Sequence, residues 1–185
     1  MNTNEEYHKY LTNKSFIGTI YRNYYIYPKI NKFIHGRLLD YGCGVGDMLK
    51  FYSNSIGTDI NPLNIKYCLN RNLKVLSLDD LRKSKLKFET IILDNVLEHV
   101  EDCHELLSNI KLFSKKNTTL IIGVPGIKGF YADDDHKIYY DENNIINLMK
   151  PFNFKYIDSF STPWKSKFLT KYFKRYCNFY IFQFL

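Results

Sequence analysis

The stretch Leu38-Leu39-Asp40-Tyr41-Gly42-Cys43-Gly44-Val45-Gly46-Asp47 constrains this chain more than any other. A short apolar run passes into a turn with glycine at every second position, and then into a helix-like segment. Glycine has no Cβ, so at Gly42, Gly44 and Gly46 the backbone can take positive φ and come close to a ligand. Amides at the start of the following helix favour an electronegative group. The same residues also make an ordinary strand-to-helix connection, and the turn alone does not separate the two readings. A second landmark favours the ligand: Ser55-Ile56-Gly57-Thr58-Asp59-Ile60 reads as another short strand ending in an acid. Asp59 falls 17 residues after Gly42, near where a nucleotide-binding βαβ unit places a carboxylate for ribose hydroxyls.

The spacing is not the dinucleotide pattern Gly-x-Gly-x-x-Gly, and an acid, Asp40, precedes the first glycine. In this the chain resembles the class I S-adenosylmethionine-dependent methyltransferases, whose first motif runs acid-x-Gly-x-Gly-x-Gly. Further along, Phe88–Leu93 is the clearest strand, apolar enough to be buried on both faces. Past its end at Asp94-Asn95, the residues Val96-Leu97-Glu98-His99-Val100 resemble the Leu-Glu-His-Val signature of a large group of small-molecule methyltransferases. The resemblance covers almost the whole chain. It implies an α/β fold: a Rossmann-like seven-stranded mostly parallel sheet with helices on both faces, the last strand antiparallel, and an N-terminal helical extension.

At 185 residues the chain suits a single methyltransferase domain, 1–185, with 1–34 as an N-terminal helical cap and 35–185 as the Rossmann-like core. No tract is long and apolar enough to span a bilayer and the N-terminus has no secretory pattern, so a cytoplasmic protein is expected. Cys43, Cys68, Cys103 and Cys177 are dispersed without Cys-x-x-Cys pairing, which fits reduced thiols and neither a disulfide framework nor a zinc site. The net charge of +7 invites a nucleic-acid reading. However, the densest basic segment, Lys165–Arg175, interleaves Phe168, Leu169, Tyr172 and Phe173 at helical spacing. That pattern is an amphipathic helix with a solvated basic face, open to a membrane surface or an anionic substrate.

In chain order, residues Glu5–Phe33 predict helices with a break near Pro28, and Arg37–Leu39 the first strand. Asp47–Tyr52 predicts a helix, and Asn61-Pro62 a cap and first turn for a helix over Leu63–Asn70. Lys74–Ser77 predicts a third strand, Glu101–Phe113 an amphipathic helix and Thr118–Pro125 a fifth strand. After a loop over Ile127–Lys137, Asp141 caps a helix Glu142–Met149, and Phe152–Phe160 and Tyr176–Leu185 read as two last strands.

The resemblance assigns the cofactor, S-adenosyl-L-methionine, and its product S-adenosyl-L-homocysteine. Asp40, Gly42, Cys43, Gly44 and Gly46 would hold the methionine portion, Asp59 the ribose, and Ile60 with Asp79 the adenine. Asp79 reads equally as a helix cap. Asp94 and Asn95, at the carboxyl end of a strand, belong to the same crevice. In the resembling group a histidine followed by an aromatic pair faces the substrate, which points to His136 and Tyr139-Tyr140. An imidazole titrates near neutrality, so His136 can serve as general base for a hydroxyl acceptor. His99 is a second catalytic candidate or a residue that only orients its loop. Tyr7, Tyr10, Tyr21, Arg22 and Tyr140 are candidates for the acceptor pocket, the tyrosines being equally apt for core.

No metal ligands are assigned, although Asp133-Asp134-Asp135 could hold a divalent ion. With Tyr21-Arg22 and the Asp135-His136 loop, the chain resembles methyltransferases encoded with bacterial surface-polysaccharide enzymes, which implies a hydroxyl of a sugar or glycan precursor as acceptor. An N-methyltransferase of an amino sugar or other metabolite, an RNA methyltransferase and a non-catalytic binding scaffold are the alternatives. Asp94-Asn95-Val96-Leu97 is unlike the Pro-Pro-aromatic signature of base-amine enzymes, which counts against nucleic acid.

Overall fold

The computed structural model describes residues 3–13, 16–163 and 176–185, and the chain groups into two compact units, residues 1–90 and 91–185. Its strands are β1 (Leu38–Tyr41), β2 (Ser55–Thr58), β3 (Phe88–Asp94), β4 (Ser114–Pro125), β5 (Phe154–Thr162) and β6 (Cys177–Phe184), in a mixed sheet ordered β2-β1-β3-β4-β6-β5.

The first unit opens with α1 (Asn4–Thr12), where the Thr3 hydroxyl accepts the Glu6 N–H at 3.2 Å and Glu5 and Glu6 complement the positive helix end. Helix α2 (Phe16–Tyr21) runs through a π-helical turn, Arg22–Ile26, into α3 (Tyr27–Asn31). The expected break at Pro28 is therefore absent. Pro28 lies in the first turn of α3, where a missing N–H is tolerated. The wider turn before it, closed from the Tyr27 N–H to the Arg22 carbonyl, leaves room for the ring. Tyr27 and Ile30 are buried.

Strand β1 is buried along its length and pairs parallel with β2 from Leu38↔Ser55 to Tyr41↔Thr58. Between them α4 (Asp47–Phe51) turns inward on Met48 and Leu49. Helix α5 (Pro62–Leu69) begins as its sequence predicts: Asn61 accepts the Leu63 N–H at 3.0 Å and Pro62 holds the first turn. The third strand does not form. Val75 makes a single parallel bridge with Gly57, flanked by Gly57 N–H to the Lys74 carbonyl at 2.9 Å and Leu76 N–H to the Gly57 carbonyl at 3.0 Å. Ser77 ends the pairing by capping α6 (Leu78–Ser84), accepting the Asp80 N–H at 3.1 Å. The described residues thus carry six strands where seven were expected.

In the second unit β6 runs antiparallel to both β4 and β5, as expected for the last strand. Phe179, Tyr180, Ile181 and Phe182 are all buried, so β6 is covered on both faces. Helix α7 (His104–Phe113) starts later than its pattern predicts because the Asp102 carboxylate accepts the His104 N–H at 2.8 Å. Within the expected loop a short helix forms, α8 (Ile127–Phe130), and α9 (Glu142–Met149) starts where Asp141 accepts the Asn144 N–H at 2.9 Å. The basic segment Lys165–Arg175 lies outside the described residues. Among those described, no helix is long and apolar enough to cross a membrane.

Candidate active site

The glycine turn of the first unit is held from within. Gly42, Gly44 and Gly46 take φ of 87°, 53° and 77°, the left-handed region that glycine enters without strain. The N–H groups of Gly42 and Cys43 both donate to the Thr58 carbonyl, at 2.8 and 3.0 Å, and that of Gly46 to the Cys43 carbonyl at 2.9 Å. Gly44 N–H donates to Asp59 Oδ2 at 2.7 Å. Helix α4 has five residues and no side-chain cap. The N–H groups of Gly42, Cys43, Gly44 and Gly46 are thus spent within the unit, and the turn presents a Cβ-free backbone surface at its glycines. The Cys43 side chain points inward, into a buried cluster with Leu49, Cys68 and Val75.

Asp59 is the hub of this unit. Its Oδ1 accepts the Asn61 N–H at 2.8 Å and the Asn64 amide at 3.2 Å. Burial pushes the Asp59 carboxyl above its ordinary value, against the lowering effect of the bonds from Asn61, Gly44 and Asn64. Both asparagines also hold α1: Asn61 donates to the Asn4 carbonyl at 2.8 Å, and Asn64 Oδ1 lies 2.8 Å from His8 Nδ1. Asn64 and His8 went unread in the sequence, where nothing in the helical pattern of α5 sets a buried asparagine apart. Asp40 is buried on β1, whereas Ile60 is 90% exposed just past the acid. Asp79 is exposed and pairs with Arg82 at 3.6 Å; the capping role falls to Ser77.

Among the N-terminal candidates, Tyr10 is exposed, Tyr21 stacks on Tyr25 at 5.2 Å, and Arg22 Nε donates to the Tyr27 hydroxyl at 3.1 Å.

In the second unit the chain leaves β3 through Asn95, whose φ is 57° and whose N–H donates to the Gly123 carbonyl at 2.9 Å. Its amide also reaches Asp94 Oδ1 at 2.8 Å. Leu97–His99 then form a 3-10 turn. The Glu98 carbonyl accepts N–H groups from Lys137 at 2.6 Å and Ile138 at 3.3 Å, which draws the distant loop onto this turn. As a result His99 and His136, far apart in sequence, meet edge to face with ring centroids 4.8 Å apart.

His136 is oriented twice over. Its ring stacks on Phe130 at 5.3 Å, and Nδ1 lies 2.8 Å from the Phe130 carbonyl. A carbonyl only accepts, so Nδ1 carries the proton and Nε2 keeps a lone pair. Nε2 lies 4.0 Å from Asp133 Oδ2. Burial and the neighbouring His136 lower the proton affinity of His99. The Glu98 side chain is fully buried, and among the described residues no other one donates to either carboxylate oxygen. Burial, with Asp94 and Asp133 adding like charge, pushes that carboxyl up to about 8. Tyr140 is buried with its hydroxyl 3.2 Å from Cys103 Sγ. Glu98 and Phe130 were missed as site residues: the first was read only as part of a signature, and the second acts through its backbone carbonyl and a ring stack.

A family described as a methyltransferase domain matches residues 20–159. The chain belongs to that family. Uncharacterized protein MJ1123 of Methanocaldococcus jannaschii is 27% identical over 143 residues, 70% of each chain. A SAM-dependent methyltransferase from Archaeoglobus fulgidus shares the fold with a TM-score of 0.64 at 18% identity, over 91% of this chain and 100% of that one. A Thermotoga maritima SAM-dependent methyltransferase, described as a possible histamine N-methyltransferase, superposes with a TM-score of 0.69 at 14% identity, over 97% and 98% of the two chains.

Both of these solved structures are described as methyltransferases dependent on S-adenosylmethionine. The first unit fits it on its own chemistry. A Cβ at Gly46 would lie 2.5 Å from Leu73 Cδ1, so that position is closed to a larger residue, while one at Gly44 would meet only Leu11 Cδ1, at 3.1 Å. A buried acid closes the turn, and an apolar side chain, Ile60, stands exposed beside it, available to an adenine face.

Proposed function

We propose that this methyltransferase moves the sulfonium methyl of S-adenosylmethionine to a hydroxyl of a small molecule, a sugar or glycan precursor, and that His136 takes the hydroxyl proton. The acceptor oxygen bonds to the methyl carbon as the carbon–sulfur bond breaks, leaving S-adenosylhomocysteine, and the proton passes to Nε2. The methyl is already activated, so the protein has chiefly to align the reactants and remove one proton. The observation that carries this reading is the tautomer of His136: Nδ1–H is spent on the Phe130 carbonyl, and Nε2 is left as the acceptor.

On this reading Asp40, Gly42, Cys43, Gly44 and Gly46 serve the methionine portion of the cofactor, Asp59 the ribose, and Ile60 and Asp79 the adenine, with Asp94 and Asn95 at the same cofactor. Tyr10, Tyr21, Arg22 and Tyr140 serve the acceptor, and His99 supports His136. The resemblance to methyltransferases of surface-polysaccharide clusters, read from Tyr21-Arg22 and the Asp135-His136 loop, supports a saccharide acceptor.

The test is formation of S-adenosylhomocysteine from S-adenosylmethionine with a panel of nucleotide sugars, amino sugars and bulk RNA. Turnover on a hydroxyl sugar, with the methyl found on oxygen, supports the reading. Methyl on nitrogen, or turnover on RNA alone, overturns the acceptor assignment.

A further inference from the structure

We propose that Glu98, His99 and His136 form a binding site for a divalent first-row transition-metal ion, with Zn2+ the best fit. Each side chain offers one ligand atom, and the three atoms lie within 4.8 Å of one another. Ligands sharing a tetrahedral Zn2+ at about 2.0–2.2 Å stand roughly 3.3–3.6 Å apart, so small side-chain rotations close the set. Two imidazoles and one carboxylate suit zinc and its neighbours, whereas Mg2+ and Ca2+ call for oxygen ligands.

Two further observations point to a cation. The Glu98 carboxyl is fully enclosed, and among the described residues no other one gives either oxygen a hydrogen bond. A buried carboxylate ordinarily has a partner, and a metal ion would be one. His136 also has the outer support that metal-binding histidines use, Nδ1–H bonded to a backbone carbonyl, here that of Phe130 at 2.8 Å. Asp133, 4.0 Å from His136 Nε2, adds negative charge beside the three. The aspartate run itself does not supply the site. Among the described residues the converging set is Glu98, His99 and His136, and Asp133 Oδ1 caps the Asp135 N–H at 3.1 Å.

Three protein ligands leave one position of a tetrahedron open, the arrangement of catalytic rather than structural zinc. The inference goes beyond the methyl-transfer reading and sets a second use of His136 against the base role, since an ion and a proton compete for the ring nitrogen that Phe130 leaves free. An imidazole nitrogen bound to an ion cannot take a proton, so occupancy would make His136 a ligand in place of a base.

The test uses the full chain, stripped with a chelator and titrated with Co2+ followed by visible absorption, then with Zn2+ in competition and Mg2+ as control. The site predicts one Co2+ per chain, displaced by Zn2+ and indifferent to excess Mg2+. Glu98→Gln keeps the side-chain shape, and His136→Ala removes a ligand; each should weaken Co2+ binding about 10-fold or more. Calorimetry with S-adenosylmethionine on Glu98→Gln should give unchanged affinity, which separates failure of the metal site from failure of the cofactor reading. No Co2+ absorption band, or binding equally strong in both variants, would overturn the site and leave His136 as the base.

Discussion

Gly44 donates its N–H to Asp59 Oδ2 at 2.7 Å, so the glycine turn after β1 and the acid after β2 form one hydrogen-bonded unit. The Asn61 N–H and the Asn64 amide complete the shell of that carboxylate. The acid is thus fixed in position by its own neighbours, which supports the proposal that it orients a ribose.

The pH dependence of stability follows from the same burial. The Asp59 carboxyl is raised above its ordinary 3.8 in the folded protein, so the folded state holds that proton more tightly than the unfolded chain. Its stabilising contribution is full below 3.8 and is lost as pH rises through the folded value. Denaturant titrations at stepped pH should show Asp59→Asn gaining on the wild type as pH rises from near 3.8. A gap that widens in the wild type's favour over that range would contradict the direction of the shift.

The two glycines of the turn should differ in tolerance. A Cβ at Gly46 meets Leu73 Cδ1 at 2.5 Å and Cys68 Sγ at 3.0 Å, inside the packed cluster. At Gly44 it meets only the tip of Leu11, at 3.1 Å. Both carry the left-handed penalty, so Gly46→Ala should cost about 1–3 kcal/mol more than Gly44→Ala. Thermal unfolding of the pair decides it; equal losses would mean that the packing around Gly46 yields.

His136→Ala should lower turnover by about 100-fold or more while leaving affinity for S-adenosylmethionine nearly unchanged. Initial-rate kinetics beside calorimetry check both parts. A mutant of wild-type activity would remove His136 from the chemistry.

The fold was legible wherever a local signal was strong. The Asn61-Pro62 start of α5 and the Asp141 start of α9 were read directly, because a side-chain cap is a local device. The third strand was misread because Val75 and Leu76 have strand propensity, and only the cap at Ser77 limits them to one bridge. Pro28 was misread as a break because the π-turn that accommodates it leaves no sequence mark. Glycines and acid of the first unit stood out by spacing. The meeting of His99 with His136 did not, since it depends on two backbone bonds to the Glu98 carbonyl.

Titration calorimetry is the sharpest test of the cofactor unit. S-adenosylmethionine and S-adenosylhomocysteine are titrated into the wild type and into Asp59→Ala, with circular dichroism confirming that both are folded. Saturable one-to-one binding by the wild type, weakened about 10-fold or more in Asp59→Ala, is the predicted result, since a lost hydrogen bond to a charged group is worth about 1.5–3 kcal/mol. Equal affinity in the two proteins would contradict the assignment of Asp59 and of the turn it holds.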